Sequence, residues 1–230
     1  MKTARAGQAK TAKTSKADTR AKLLVHGARG RVGTLLTQLL EHDPEWSALY
    51  RVSDGTPDLI IDFSSPEGSL AAAELAKRTG AALLVGTTGL SDAQMKKLEG
   101  TLKGNAWAHA PNTSLGVFAL TTALRALDRL LPASMEAAIY EVHHAAKKDA
   151  PSGTAKLLAQ ALKRPVQISS ARGGSEVGEH RVIFFGQGER IELVHNASNR
   201  VLFAHGALRL GQRLLASRKR GRHTLEELYE

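Results

Sequence analysis

Two histidines, a lysine and a helix start occur close together in the stretch EVHHAAKKDAPSGTA, residues 141–155. His143 and His144 end a predicted strand, and Lys147 follows within four residues. Residues 152–154 begin the next predicted helix, where free backbone amides form a ready site for a carboxylate. A histidine and cationic side chains facing one pocket suit a dianionic substrate that needs a proton. Because these groups occur together, we favour acid–base chemistry over simple packing of a histidine pair.

A glycine-rich turn, GARGRVG at residues 27–33, follows a short apolar strand and precedes a helical pattern. Its spacing lacks the first glycine pair of the usual G-x-G-x-x-G pattern. Glycines still allow the backbone to approach a pyrophosphate at the start of a helix, and Arg29 and Arg31 add positive charge there. The turn therefore predicts dinucleotide binding, with an ordinary strand–helix turn as the alternative.

About twenty residues further along, dinucleotide folds select the ribose of the cofactor. Arg51 and Asp54 both stand there: an arginine favours NADPH and an acid favours NADH, so this preference stays open. Two loops, Gly86 to Thr88 and Ala110 to Thr113, follow predicted strands at their carboxyl ends, where ligands bind in open parallel sheets. Beside the glycine-rich turn, they predict a cofactor cleft.

Two patterns of elements must position these groups. In the first half, short strands (one around Ala48–Val52) alternate with helices, which implies a parallel sheet covered on both faces. The second half has consecutive strands, the last over Arg200–Ala204. We therefore predict an α/β fold with a Rossmann-like dinucleotide-binding domain over 21–112. An α+β domain with a mixed sheet, for substrate binding, is expected over 113–205, and the C-terminal helix within 206–230 is expected to pack back on the first domain.

The composition excludes several classes of site. The chain of 230 residues has no cysteine, which rules out disulfides, Cys-ligated zinc, iron–sulfur clusters and a cysteine nucleophile. No His/Asp/Glu cluster has metal spacing, so we expect no metal. No apolar run approaches ~20 residues and no secretory signal is visible, so we expect no membrane contact and a cytoplasmic protein.

The formal net charge of +10 raises the question of a polyanionic partner. Residues 1–20 contain six Lys/Arg and one Asp, without hydrophobic periodicity, and are predicted to be a disordered basic tail. A second basic cluster lies at residues 218–222. No aromatic residues for base stacking are interleaved with these charges, so we expect no dedicated nucleic-acid site. A weak polyanion-binding module remains an alternative.

Together these segments resemble the 4-hydroxy-tetrahydrodipicolinate reductase family, also called dihydrodipicolinate reductase, of bacterial lysine and diaminopimelate biosynthesis. The resemblance runs from about Ala21 to Leu215, and the pattern H-H-x-x-K-x-D-A-P-S-G-T at residues 143–154 is its most specific part. It implies reduction of a small cyclic dicarboxylate with NADPH or NADH, and a homotetramer formed through the sheet of the second domain. The alternative is a nucleotide-binding regulator that does not turn over substrate. It would be favoured if other residue types stood in place of His143 or Lys147, and neither is replaced.

The resemblance also implies roles for individual residues. His143 would donate or accept the proton, and Lys147 would be a second proton donor. His144 would bind substrate, as would Ser152, Gly153 and Thr154, which would hold a carboxylate. The implied pyrophosphate contacts are Gly27, Ala28, Arg29, Gly30, Arg31 and Val32. The implied contacts on the nicotinamide side are Gly86, Thr87, Thr88, Ala110, Pro111, Asn112 and Thr113. Other members often carry Phe or Tyr where Thr113 stands.

Overall fold

The computed structural model describes residues 18–229. The predicted disordered tail, 1–20, therefore lies outside the described residues except for its last three positions. The helices are α1 (Arg31–His42), α2 (Pro44–Leu49), α3 (Pro66–Thr79), α4 (Asp92–Thr101), α5 (Leu115–Leu130), α6 (Gly153–Gln160), α7 (Val201–Ala216) and α8 (Leu225–Tyr229). The strands are β1 (Ala21–His26), β2 (Tyr50–Val52), β3 (Leu59–Asp62), β4 (Ala82–Val85), β5 (Ala106–His109), β6 (Glu136–His143), β7 (Val166–Arg172), β8 (Gly178–Gly186), β9 (Glu189–Ala197) and β10 (Gly221–His223).

Six strands form one parallel sheet in the order β10-β5-β4-β3-β1-β2. Every residue of β3 and β4 is buried, as expected where helices cover both faces of a parallel sheet. One face packs against α1 and α7 around Leu23, Leu36 and Leu208. The other face packs against α3 and α4 around Leu83 and Leu98. The predicted Rossmann-like sheet is therefore confirmed.

The other four strands form a mixed sheet in the order β7-β6-β8-β9. β6 runs parallel to β7 and antiparallel to β8, which is also antiparallel to β9. One face packs against α5 and α6 around Leu124, Leu158 and Phe184. Side chains alternate along a strand, so Tyr140 and Val194 project from the opposite face, where both are exposed. The predicted mixed sheet is confirmed.

The predicted strand over Arg200–Ala204 is wrong, because Val201 begins α7. The apolar run VLFA resembles a strand in isolation, but Ala204 and Ala207 are buried at helical spacing against the parallel sheet. α7 also contacts the chain segment that follows β5. A Cβ at Gly206 would lie 1.7 Å from the carbonyl oxygen of Thr113, so only glycine allows this close approach.

The predicted strand over Ala48–Val52 is right only for its last three residues, which form β2. The residues before them form α2, because Asp43 caps that helix by accepting a hydrogen bond from the Glu45 N–H at 2.9 Å and Pro44 occupies its first position. The sequence predicts neither β10, which pairs with β5, nor α8. Both elements are too short to show a hydrophobic period.

Within residues 18–229, no helix combines the length and the apolar content that crossing a bilayer requires. The parallel sheet and the mixed sheet are joined after β5 and again before α7. A cleft between them receives the carboxyl ends of β3, β4, β5 and β6.

Candidate active site

The cleft has a volume of about 1190 Å³. The predicted site residues that line it are Gly30, Arg31, Val32, Gly86, Thr87, Thr88, Pro111, Asn112, Thr113, His143, His144, Lys147, Ser152, Gly153 and Thr154. The structure therefore brings the loops of the parallel sheet and the 143–154 stretch into one cavity. Phe63, Arg200 and Phe203 also line the cleft and were not among the predicted site residues.

The remaining predicted cofactor contacts lie at the edge of the cleft or behind it. Residues 27–29 line a smaller cavity of about 390 Å³, whose wall shares Gly30, Phe63 and Ser64 with the cleft. Ala110 has no solvent exposure and lies behind the loop that it begins. The glycine-rich turn is therefore continuous with the cleft, whereas the Ala110 side chain does not line it.

Arg51 lines neither cavity. Its guanidinium pairs with Asp54 at 3.2 Å and lies 3.7 Å from Asp18. Arg51 and Asp54, which favour NADPH and NADH respectively when read from the sequence, are thus paired with each other at the end of β2. A contact of Arg51 with the cofactor ribose stays a prediction.

The start of α1 fits an anionic group. Gly27 adopts φ +86°, and a Cβ there would lie 2.5 Å from the Phe63 carbonyl oxygen, so the turn requires glycine. Gly30 precedes the first turn of α1 without any side-chain cap, and that turn contains no acidic residue. The first backbone amides of the helix have no partner within it and carry its positive dipole end. The turn can therefore accept a pyrophosphate.

A buried carboxylate joins three strand ends beneath the cofactor loops. Asp62, the last residue of β3, has no solvent exposure. Its carboxylate accepts hydrogen bonds from Ser64 Oγ (2.5 Å), Ser69 Oγ (2.5 Å), Thr87 Oγ1 (2.8 Å) and His26 Nδ1 (2.9 Å). Burial alone would raise the pKa of Asp62, but these donors hold it below its usual value. The hydrogen bond to Asp62 raises the pKa of His26. We name this set the Asp62 network.

A second buried carboxylate lies beside the predicted proton donor. Glu141 and His143 are two residues apart on β6 and share one face of the strand. Glu141 Oε2 is hydrogen-bonded to His143 Nδ1, and Oε1 accepts from Arg172 Nη2 at 2.8 Å and from the Ser152 N–H at 3.3 Å. Burial would raise the pKa of Glu141, but the bond from Arg172 and the charge of His143 lower it to about 2. We name these four residues the Glu141 network.

The protonation of His143 depends on opposing effects. Burial lowers the pKa of His143, Glu141 raises it, and the charges of Lys147 and Arg172 lower it again, so that it lies below its usual value. His143 Nδ1 is engaged by Glu141, while Nε2 has no hydrogen-bond partner within residues 18–229. Nε2 is therefore the ring nitrogen available for proton transfer.

His180, on β8, lies beside the Glu141 network. Its ring meets that of His143 edge to face, with centroids 5.1 Å apart. His180 Nε2 lies 3.2 Å from Ser152 Oγ, and its Nδ1 is buried without a hydrogen-bond partner in the described part of the chain. Burial, with the charge of His143, lowers the pKa of His180 to about 4. The hydrogen bond between His180 Nε2 and Ser152 Oγ therefore connects a neutral imidazole on β8 to the start of α6.

The start of α6 forms the other side of the cleft. Ser152 caps this helix, with Oγ accepting a hydrogen bond from the Ala155 N–H at 3.1 Å. The first turn contains no acidic residue, so its free amides can bind a carboxylate. Thr154 Oγ1 accepts a hydrogen bond from Asn112 Nδ2 at 2.9 Å, which links α6 to the loop after β5 across the cleft.

Several cations surround this helix start. Lys147 Nζ lies 2.8 Å from Asp149 Oδ1 and remains partly exposed to the cleft. Lys148, Lys156 and Arg200 also line the cleft. None of the three forms an ion pair with another residue of the described range, 18–229. The cavity is therefore suited to a substrate with more than one negative charge.

Glu141, His143 and His180 also form a group whose possible metal-ligand atoms lie within 4.8 Å of one another. A cation already neutralises this carboxylate, because Arg172 pairs with Glu141 Oε1, and His143 Nδ1 occupies Oε2. The donor set is therefore used for hydrogen bonding and does not fit a resident metal. The absence of a metal stays a prediction.

The sequence analysis assigned no site role to Glu141, Arg172, Asp62 or His180. One signal was available, because Glu141 and His143 alternate onto one face of a predicted strand. The signal for Asp62 was its position at the carboxyl end of a buried strand. Arg172 comes from another strand and gave no local signal.

Comparisons with known proteins agree with this architecture. The family model described as dihydrodipicolinate reductase, N-terminus, matches residues 46–113, and the model described as dihydrodipicolinate reductase, C-terminus, matches residues 116–228. The 4-hydroxy-tetrahydrodipicolinate reductase of Stenotrophomonas maltophilia (strain R551-3) is 40% identical over 235 aligned residues, covering 91% of this chain and 98% of that protein. The enzyme of that name from Nitratidesulfovibrio vulgaris (strain DP4) is 34% identical, covering 87% and 95%.

The fold also matches a solved structure, the dipicolinate-bound dihydrodipicolinate reductase from Paenisporosarcina sp. TG-14. The TM-score is 0.73 at 19% identity, and the match covers 89% of this chain and 97% of that one. At this identity the match supports the fold, while the family models and the sequence relatives extend over both halves of the cleft. This chain belongs to the dihydrodipicolinate reductase family.

Proposed function

We propose that this protein reduces 4-hydroxy-tetrahydrodipicolinate to tetrahydrodipicolinate with NADPH or NADH, in lysine and diaminopimelate biosynthesis. The observation that carries the proposal is one cleft lined both by the start of α1 and by the 143–154 stretch. The first provides a pyrophosphate site, and the second provides a carboxylate site beside a histidine. Family membership supplies the reaction that joins them.

The start of α6 holds one substrate carboxylate. The backbone amides of Gly153 and Thr154 lie at the end of that helix nearest the cleft. The Ser152 hydroxyl is held by hydrogen bonds with the Ala155 N–H and with His180. His144 and the unpaired cations that line the cleft neutralise the second carboxylate. This two-point binding orients the ring of the substrate toward the loops after β4 and β5.

His143 and Lys147 supply the proton. Once the 4-hydroxyl group has left as water, the ring of the substrate is conjugated, and NAD(P)H, when bound, would supply the hydride that this ring accepts. His143 and Lys147 both line the cleft, and either can donate, in its protonated form, the one proton that the electron-rich ring then requires. The ion pair with Asp149 limits the positions that the Lys147 ammonium group can occupy.

The pyrophosphate site comprises the glycine-rich turn with Arg29 and Arg31. Residues 86–88 and 111–113 form the wall on the nicotinamide side. Because Arg51 and Asp54 are paired with each other at the ribose position, neither charge is free to select one cofactor strongly. We therefore expect NADPH and NADH to be used within a modest ratio.

Two further properties belong to this proposal. The outer face of the mixed sheet exposes Tyr140, Phe185 and Val194, and a patch of this kind is typical of an interface between subunits. We propose a homotetramer formed through that face. A cytoplasmic location and the absence of a dedicated nucleic-acid site remain predictions from the sequence.

A coupled assay tests the function. The condensation product of aspartate semialdehyde and pyruvate is offered with NADPH and then with NADH, and nicotinamide absorbance is followed. We expect turnover with both cofactors, and a ratio of kcat/KM values that Arg51→Ala changes by less than about tenfold. Oxidation of neither cofactor in the presence of that product would refute the proposed function.

A further inference from the structure

We propose that Glu141 is a positioning residue for the reaction, which holds the proton donor and the carboxylate site in one fixed arrangement. The proposal rests on the proposed function of the cleft. It concerns a residue that touches neither substrate nor cofactor and acts through His143 and Ser152.

The two oxygens of Glu141 serve two parts of the site. Oε2 is bonded to Nδ1 of His143, and Oε1 accepts the N–H of Ser152, which directly precedes the first residue of α6. Glu141 itself has no solvent exposure. A rigid planar group therefore sets the separation between the imidazole and the helix start that binds a substrate carboxylate. Optimal transfer of a proton requires such fixed geometry.

A carboxylate is required at this position because of the imidazole. A carboxylate accepts the Nδ1 hydrogen of His143 and leaves Nε2 directed to the cleft, whereas an amide can present its NH₂ group and favour the opposite tautomer. The negative charge also stabilises the imidazolium, since it opposes the effect of burial on that ring. Glutamine would preserve the shape of Glu141 and lose both effects.

Arg172 makes the buried charge tolerable. Its Nη2 donates to Glu141 Oε1 at 2.8 Å and to the Asp149 carbonyl oxygen at 2.6 Å. Asp149 in turn binds Lys147. Arg172 therefore neutralises the carboxylate and connects it to the segment that carries the second proton donor. Removal of one partner of such a buried ion pair strongly destabilises the protein, because the other charge stays buried without a partner.

The decisive comparison is Glu141→Gln with Glu74→Gln, a control at an exposed position of α3 that does not line the cleft. In Glu141→Gln we expect kcat to fall about 10²- to 10⁴-fold, since loss of an orienting carboxylate acts through the histidine tautomer. The decline of kcat with rising pH should occur at lower pH than in the parent, because the protonated form of His143 is lost earlier. Glu74→Gln should match the parent.

A second measurement does not depend on turnover. Ring ¹⁵N chemical shifts of His143, assigned by comparison with His143→Ala, are followed against pH. We expect the parent to show the hydrogen on Nδ1 when neutral, and Glu141→Gln to show a lower pKa and a changed tautomer. Glu141→Asp, which keeps the charge, should restore the parent tautomer and part of kcat.

Several results would overturn the inference. These are a parent-like His143 titration in Glu141→Gln, a rise in substrate KM with kcat within twofold of the parent, and loss of parent activity on treatment with EDTA, which would make Glu141 a metal ligand. If Glu141→Gln does not fold, Glu141→Asp decides, because parent-like kcat despite the shorter side chain would exclude a positioning role. Absence of turnover in the parent would refute the proposed function alone, since the histidine titration still tests Glu141.

Discussion

The two halves of the cleft each contain a carboxylate without solvent exposure, and the two are stabilised differently. On the cofactor side, Asp62 is surrounded by three hydroxyl groups and one partly exposed histidine. On the substrate side, Glu141 is paired with a guanidinium and an imidazole. Hydroxyl donors have one fixed protonation state near neutral pH, whereas an imidazole does not. Both networks include an imidazole, but His143 lines the cleft and His26 does not. The Asp62 network therefore fixes strand ends, and the Glu141 network acts on a proton.

The largest effect should come from the proton donors beside Glu141. We expect His143→Ala and Lys147→Ala each to lower kcat by about 10²- to 10⁴-fold, with cofactor KM little changed, because a positioned acid contributes that much. The double variant should lose less than the product of the two single losses, because the residues act as a unit. Steady-state kinetics measures this, with the exposed His42→Ala as control. Near-normal kcat in both single variants would move the proton donor elsewhere.

Asp62 should matter more for stability than for chemistry. Asp62→Ala leaves three hydroxyls and His26 without their acceptor, so we expect a loss of about 3 kcal/mol in the free energy of unfolding. For a chain of this length, that corresponds to a fall in Tm of roughly 6–12 °C. We expect cofactor KM to rise and kcat to fall less than tenfold.

Thermal denaturation and steady-state kinetics with each cofactor measure both parts of this prediction. Glu74→Ala, on the exposed side of α3, is the matched control and should change the free energy of unfolding by less than about 0.5 kcal/mol. A loss of kcat in Asp62→Ala as large as that in His143→Ala would contradict the different roles assigned to Asp62 and Glu141.

The smallest effect is a pH dependence carried by His26. Its folded pKa is raised by Asp62, so its contribution to stability is complete below the unfolded value near 6.5 and is lost as pH rises through the folded pKa. We expect His26→Gln to be less stable than the parent by about 1 kcal/mol at pH 5.5 to 6, with the difference shrinking in alkaline solution. Urea unfolding at several pH values measures it. A difference independent of pH would show that His26 contributes as a neutral donor.

Local pattern predicted the parts of the site that are contiguous in the chain. The glycine-rich turn, the loops after β4 and β5 and the 143–154 stretch each contain their own strand or helix boundary, and all reach the cavities described above. Arg172 could not be assigned, because β7 brings it to Glu141 only after α6 has returned the chain to the sheet. The contact between Arg172 and Glu141 joins residues 31 positions apart, and such a contact leaves no periodic pattern in the local sequence.

The errors in the fold have the same origin. The segment starting at Val201 reads as a strand until its packing against the parallel sheet is known, because four apolar residues fit either period. The strand β10 is assigned only because β5 offers an open edge for pairing. At the ribose position, the sequence presented Arg51 and Asp54 as alternatives, and only the structure joins them in one ion pair.

The contact between Gly206 and Thr113 determines where the molecule can bend. It holds the first crossing of the chain between the two sheets against α7, so a change of angle between the halves has to be taken up after this point, near the start of α5. The hydrogen bond from Asn112 to Thr154 spans the cleft, and widening the cleft breaks it at a cost of about 1 kcal/mol. A rotation of one sheet relative to the other that broke this bond would widen the cleft and leave both cores packed.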